Sequence, residues 1–183
     1  MDEVSAWLDG RRLSPSQPSR KKKAARAITL GETAYYYAPT LAHNICQKQQ
    51  EAIHLIENNE LAHWVERSLG DEEMAARLGD AIKGAAELGT GVGYWDRLLS
   101  RVSIALDPTA PIRFKGMSFT MDGLGAALAE AFVQKRGLST FTSLFTENIL
   151  PYWIIVCANL NMDISLHSAQ IDKCRMYLKH NGL

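Results

Sequence analysis

The 183-residue chain has no excess of charge of either sign, since its 20 basic residues balance its 20 acidic ones. Such a chain has no overall field that would attract nucleic acid or an anionic membrane, so any contact of that kind must be local. Cysteine is also scarce, with only Cys46, Cys157 and Cys174 present. An odd number in apolar surroundings argues against a disulfide framework and favours reduced thiols. We therefore expect a cytoplasmic protein.

A long hydrophobic run is missing as well. The most apolar stretch, residues 149–160, is too short to cross a bilayer, which takes about 20 apolar residues. The first residues include Asp2, Glu3 and Asp9 and lack the basic start and apolar run of a secretory signal. We expect a soluble protein with no membrane span.

Motifs that carry chemistry are absent too. His43 and Cys46, like His167 and Cys174, share a helix face, but neither pair has the spacing of a zinc site. The glycines of residues 89–93 follow a predicted helix and precede no lysine, so they predict a loop rather than a phosphate-binding motif. No nucleophile elbow or kinase motif is present. We expect no metal, no cofactor and no catalysis, although an enzyme without a recognisable motif stays open.

Helical periodicity is what the sequence does contain. It predicts a mainly α, compact domain of about seven or eight helices with one short extended or hairpin element near residues 112–119. In that element apolar and polar residues alternate on both sides of Gly116. A helix over residues 123–136 follows, with Asp122 as its N-cap and Gly137 as its end. We expect this helix to hold the core together.

The remaining elements follow from apolar spacing and from turn residues. Residues 149–160 fit a helix or a buried strand, and the helical neighbours favour a helix. The other predicted helical segments cover residues 24–38 with a break at Gly31, then residues 41–57, 61–69, 71–88, 94–106, 139–149 and 164–181.

The chain divides into a basic, Pro- and Ser-containing N-terminal arm, residues 1–26, and a single helical domain, residues 27–183. The basic residues of the arm are candidates for contact with nucleic acid, an acidic partner or a phosphate-bearing surface. A solvated linker explains them as well. These residues are Arg20, Lys21, Lys22, Lys23 and Arg26.

Three adjacent tyrosines, Tyr35, Tyr36 and Tyr37, follow the arm. They cannot share one helix face, so at least one must reach the surface or an interface. Stacking on bases beside the basic arm is one interpretation, and ordinary packing with a solvated hydroxyl group is the other.

Two further charged groups are candidates for docking. An acidic face, opposite in sign to the arm, either receives the arm, docks a basic partner or is simply solvated. Its residues are Glu66, Glu72, Glu73 and Asp80. Arg113 and Lys115, on the polar side of the predicted hairpin, can bind an anion or a carboxylate of a partner, although solvation of a strand explains them equally well.

The sequence favours a non-catalytic helical interaction or adaptor subunit of a larger cytosolic assembly, with another protein as its partner. The lack of catalytic motifs, the charge polarity along the chain and the number of aromatic residues support this hypothesis. The alternative is a nucleic-acid-associated subunit that uses the basic arm. A second alternative is an enzyme whose site the sequence does not reveal.

Overall fold

The computed structural model describes residues 22–183 of the chain. Within them the fold is mainly α-helical with two short hairpins, which confirms the predicted fold class. The helices are α1 (Ala38–Ile45), α2 (Gln49–Glu57), α3 (Glu60–His63), α4 (Glu72–Glu87), α5 (Tyr94–Leu106), α6 (Leu124–Gln134), α7 (Leu138–Thr146), α8 (Ile149–Asn159) and α9 (Ser165–His180). The strands are β1 (Ile28–Leu30), β2 (Thr33–Tyr35), β3 (Ile112–Phe114) and β4 (Met117–Phe119). A π-helical turn (Trp64–Leu69) continues α3, and a 3₁₀ turn (Met121–Gly123) precedes α6.

Helix α5 contributes side chains to both halves of the core. Every residue from Arg97 to Leu106 is buried. Leu98, Leu99 and Val102 pack in an N-terminal core cluster with β1, β2 and α1 to α4, whereas Ile104 packs in a C-terminal cluster with β3, β4 and α6 to α9. The expectation that α6 holds the core together was therefore wrong, because α6 belongs to the C-terminal cluster alone.

The β1–β2 hairpin replaces the helix that we expected over residues 24–38. Its strands pair antiparallel, with Ile28 opposite Tyr35 and Leu30 opposite Thr33. The N–H of Ala24 donates to the carbonyl of Tyr36 and the N–H of Ala25 donates to the carbonyl of Ser68, so the alanines before β1 bond to other segments instead of forming a helix. Helix propensity is a weak preference that such tertiary hydrogen bonds override.

The single helix predicted over residues 41–57 is two helices, α1 and α2, separated at residues 46–48. Lys48 lies in the break, and its Nζ donates to the carbonyl of Leu30 and to Oγ1 of Thr33 at 3.3 Å each. The break therefore coincides with a contact between this segment and the β1–β2 hairpin.

The predicted hairpin at residues 112–119 is confirmed as β3–β4, with Ile112 opposite Phe119. The cap that follows differs from the prediction. Oγ1 of Thr120, not Asp122, accepts the hydrogen bond from the N–H of Gly123, at 3.2 Å. Helix α6 ends at Lys135 in a left-handed conformation, and Gly137 precedes α7 instead of ending α6.

The apolar run at residues 149–160 is helix α8, as its neighbours indicated. Among the described residues, none of the helices is by itself both long and apolar enough to cross a bilayer. Helices α7 and α8 pass the same test of length and composition only as a pair, and they are bent by 52° at the break between them.

Candidate functional site

The structure describes part of the predicted basic arm. Arg20 and Lys21 lie outside the described residues. Lys22 Nζ donates to the carbonyl of Gly70 at 2.7 Å, and Ala24 is buried in the N-terminal core cluster. The end of the arm is therefore attached to the helical domain.

The three adjacent tyrosines differ in burial, and two of them reach the surface, as expected. Tyr35 is buried in β2, whereas Tyr36 and Tyr37 are exposed at the start of α1. The Nζ of Lys23 lies 5.1 Å from the centre of the Tyr36 ring. A base that stacked on this face of Tyr36 would have to displace that cation.

The predicted acidic residues Glu66, Glu72, Glu73 and Asp80 are all exposed, on the π-helical turn and on α4. Among residues 22–183 none of them lies within ion-pair distance of a basic side chain. Lys22 reaches the same region but bonds a backbone carbonyl there. The described part of the arm thus folds back towards the acidic face without neutralising it.

A cleft of about 250 Å³, here called the hairpin cleft, opens between the β3–β4 hairpin, the end of α1 and the start of α5. It contains both basic residues that the sequence singled out in this region and brings them together with groups from distant segments. Its polar lining includes His43, Cys46, Asp96, Arg113, Lys115 and Ser118.

Arg113 is half-buried in the hairpin cleft and contacts a histidine side chain and a backbone carbonyl. Its guanidinium lies 2.7 Å from Nδ1 of His43 and donates to the carbonyl of Pro111 at 3.4 Å. Because a guanidinium can only donate, Nδ1 of His43 must accept, and the proton of a neutral imidazole is then on Nε2. Asp96 lines the same cleft, yet among the described residues no carboxylate forms an ion pair with Arg113.

Lys115 is placed by the turn of the hairpin. It has a φ of 46° and Gly116 a φ of 78°, the two positive values of the turn that best fits the twist of a two-residue hairpin. The Lys115 Nζ lies 5.2 Å from the centre of the Phe114 ring and is exposed. The hairpin therefore carries one half-buried cation, which contacts His43, and one exposed cation.

Cys46 in the hairpin cleft is a protonated thiol at neutral pH. Burial raises its pKa to about 11, with Arg113 lowering the pKa and Asp96 raising it by smaller amounts. A thiol with such a pKa is a poor nucleophile. Within residues 22–183, no three His, Cys, Asp or Glu side chains converge as metal ligands would, at His43 and Cys46 or elsewhere.

A second cleft, here called the edge groove, has a volume of about 670 Å³ and lies between β1 and the α3 helix with its π-helical turn. Its basic side chains are Arg26, His63 and Arg67, and its acidic one is Glu60. At its base, Nε1 of Trp64 donates to the carbonyl of Arg26 at 2.8 Å. Of these residues, only Arg26 was predicted from the sequence as a binding residue.

Two buried arginines of α5 were also not predicted from the sequence. Arg97 is only 3% exposed, and its guanidinium pairs with Glu147 and donates to the carbonyls of Gly89 and Ala85. These contacts tie the α4–α5 loop to the end of α7. Arg97 is therefore a structural group that joins the two halves of the protein.

Arg101, one turn later, is 6% exposed and lies 3.9 Å from the centre of the Tyr152 ring. Its Nε donates to the carbonyl of Ala81 at 3.1 Å, and its guanidinium lies where a side chain on Gly84 would stand. Burial lowers the pKa of Arg101 and raises the pKa of Tyr152 to about 12. Arginines are usually exposed, so their spacing on α5 did not predict burial. The only sequence signal for it is the group of small residues on α4 against which they pack.

Asp122 lies near a different partner from the one that its sequence position suggested. Its carboxylate oxygen is 2.8 Å from Nε2 of His167, and the His167 ring packs edge-on against Trp153. The contact connects the start of α6 with α9. The Asp122 side chain is almost fully exposed, so the pair does not form an enclosed site. We interpret it as a surface contact between the two helices.

No protein-family model matches the chain, and neither a curated protein nor a solved structure is similar enough to it to support an assignment.

Proposed function

We propose that the protein is a non-catalytic helical adaptor subunit of a larger cytosolic assembly, and that its hairpin cleft docks a carboxylate-bearing surface of a partner protein. One observation carries this proposal. Arg113 and Lys115 lie on one hairpin over a concave site, and among the described residues neither has a carboxylate partner.

The geometry of the cleft suits a carboxylate. The planar guanidinium of Arg113 is held on two sides by His43 and Pro111, so little freedom is lost when it binds a partner. Lys115 on the turn can follow a partner group of variable position. Charged pairs of this kind set the specificity and the association rate of an interface more than its affinity.

An exposed apolar loop between α4 and α5 supports an interaction function. Within residues 88–95, Leu88, Val92 and Trp95 are all exposed, and Val92 is fully so. Interfaces are enriched in tryptophan and in other large apolar groups, which anchor a partner while charged residues surround them. The loop also has a fixed base, because Arg97 bonds the carbonyl of Gly89.

A nucleic-acid-associated subunit remains the alternative. Lys23 and the exposed Tyr36 support it, because they place a cation beside an aromatic ring on the surface. An enzyme is the second alternative. The raised pKa values of Cys46 and Cys157, about 11 and about 12, weigh against a cysteine nucleophile.

Affinity purification of the tagged chain from its native host tests the proposal. The wild type is compared with the charge reversal Arg113→Glu/Lys115→Glu and with a matched control, Lys173→Glu/Lys179→Glu, on the exposed side of α9. Each preparation is divided into nuclease-treated and untreated halves, and circular dichroism checks that the variants fold. Any recovered protein is then produced alone, and its affinity for each form is measured.

We expect a stoichiometric protein partner that survives nuclease, binds the control variant like the wild type and binds the hairpin variant at least about tenfold more weakly. A partner that binds both variants equally would remove the hairpin cleft from the proposal. Recovery of nucleic acid, with proteins lost after nuclease treatment, would favour the basic arm instead.

A further inference from the structure

Strand β1 has one edge that no strand occupies in the part of the chain that the structure describes. β1 pairs only with β2, with Leu30 opposite Thr33 and Thr29 opposite Ala34. In a two-residue hairpin the closing pair exchanges backbone hydrogen bonds and the next pair does not. The N–H and C=O of Thr29 therefore point away from β2 and are free to bind another strand.

The free edge borders the edge groove. Residues 25–29 form one wall, and Glu60, His63, Trp64 and Arg67 form the other. Only residues 28–30 form a strand here, and the carbonyl of Arg26 already accepts from Nε1 of Trp64. An extended chain advances about 3.3 Å per residue, so β1 can pair with a segment of about three residues. At one end the groove is closed, because the N–H of Ala25 donates to the carbonyl of Ser68 at 2.8 Å.

The charge of the groove selects among extended segments. Arg26 and Arg67 are exposed along it, and Glu60 is the one acidic side chain in its lining. Neither arginine forms an ion pair with a carboxylate of residues 22–183. A backbone edge beside a helix that carries unneutralised cations fits an acidic peptide.

We propose that the edge groove binds an extended acidic segment of a partner protein, which adds to β1 as a third strand. Main-chain hydrogen bonds to Thr29 supply a contact that does not depend on sequence, and Arg26 and Arg67 select carboxylates. The groove shares no lining residue with the hairpin cleft, so the two surfaces can be tested and can fail separately.

The first test is a selection from a displayed library of random peptides of about nine residues, somewhat longer than the groove. We expect enrichment of peptides with Asp or Glu at alternate positions, which lie on one side of a strand. Arg67→Glu should weaken a selected peptide at least about tenfold, whereas Lys173→Glu on α9 should change nothing. Failure to enrich any peptide, or enrichment of basic ones, would overturn the proposal.

The second test separates strand addition from simple charge attraction. One selected peptide is synthesised in two versions, N-methylated at alternate residues in opposite registers, so that only one version loses the amides that face β1. We expect one version to bind like the parent and the other to bind at least about tenfold more weakly. Equal affinity of the two versions would overturn the proposal.

Hydrogen exchange of the Thr29 amide, measured in the full chain, shows whether a partner peptide, another segment of the same chain or a second copy occupies the edge groove. We expect rapid exchange without peptide and protection when a selected peptide is added. Protection without peptide that disappears on removal of residues 1–21 would show that the chain occupies its own groove, and protection that increases with protein concentration would indicate a second copy. Either result would overturn the assignment to a partner.

Discussion

The two hairpins offer a partner different parts of the chain. β3–β4 presents side chains, because Arg113 and Lys115 stand on its polar side over the hairpin cleft. β1–β2 presents backbone, because the outward edge of β1 borders the edge groove. Strands of three residues with a two-residue turn thus expose charged side chains in one place and a backbone edge in the other.

Both hairpins are held in place by their inward side chains, but in different core clusters. Ile28 and Leu30 pack in the N-terminal cluster, and Ile112 and Phe114 pack in the C-terminal cluster. A surface built on a two-stranded unit is rigid only if that unit is anchored, since an isolated hairpin is marginally stable in water. Both hairpin surfaces therefore depend on these buried side chains.

The largest effect is expected from removing an anchor. Leu30 is 0% exposed and Phe114 is 2% exposed, so each substitution leaves a cavity. Leu30→Ala should lower the free energy of unfolding by about 2–5 kcal/mol and Phe114→Ala by about 3–5 kcal/mol, as measured by denaturant titration. The exposed neighbours Thr29→Ala and Ser118→Ala serve as controls and should cost well under about 1 kcal/mol. If either core variant unfolded with the free energy of the wild type, that side chain would not anchor its hairpin to the core.

The sequence predicted one hairpin and missed the other for a physical reason. Pro108 and Pro111 end the preceding helix, and apolar and polar residues then alternate on both sides of Gly116, which is typical of a hairpin. Before β1, alanines with high helix propensity conceal a strand of three residues. These alanines instead donate backbone hydrogen bonds to Tyr36 and Ser68, contacts that local sequence does not encode.

The candidate sites, like the β1–β2 hairpin, depend on contacts between segments that are distant in sequence. Arg113 and Lys115 were found because they share the polar side of a strand, but His43, which holds Arg113, lies 70 residues away in sequence. His63 and Arg67 of the edge groove lie one helical turn apart and were not associated with Arg26. Sequence periodicity identifies which residues share a face, whereas the fold alone determines which faces meet.

An intermediate effect is expected at the turns. Gly31 and Gly116 have φ values of 63° and 78°, which side chains rarely adopt. Gly116→Ala meets no neighbouring atom, so its cost should be the backbone strain alone, about 1–2 kcal/mol of unfolding free energy. Gly31→Ala should cost about the same, because the new Cβ would lie 3.4 Å from Nζ of Lys48, an ordinary contact.

Asparagine tolerates the left-handed conformation better than alanine, so Gly116→Asn is the matched control and should cost less than Gly116→Ala. Thermal or denaturant unfolding measures all three variants. If alanine and asparagine at position 116 cost the same, the strain explanation of this turn would be wrong.

The smallest effect is expected in the reactivity of Cys46, which reports the electrostatics of the hairpin cleft. The thiolate is the reacting form, so with a pKa of about 11 the alkylation rate should rise about tenfold per pH unit between about pH 8 and 10. Arg113 lowers this pKa and Asp96 raises it. Arg113→Gln should therefore raise the pKa and slow alkylation a few-fold at a given pH, and Asp96→Asn should lower the pKa and accelerate it.

Mass spectrometry of the Cys46 peptide after timed alkylation measures these rates without interference from the other cysteines. Lys115→Asn is the control within the same cleft, since Lys115 does not contribute to the Cys46 pKa and asparagine tolerates its positive φ. Opposite changes for Arg113→Gln and Asp96→Asn would show that a side chain of β3 sets the charge in its cleft. Changes of the same sign would instead indicate altered access to the thiol, and the distinction between a side-chain surface on β3–β4 and a backbone surface on β1 would then rest on the edge groove alone.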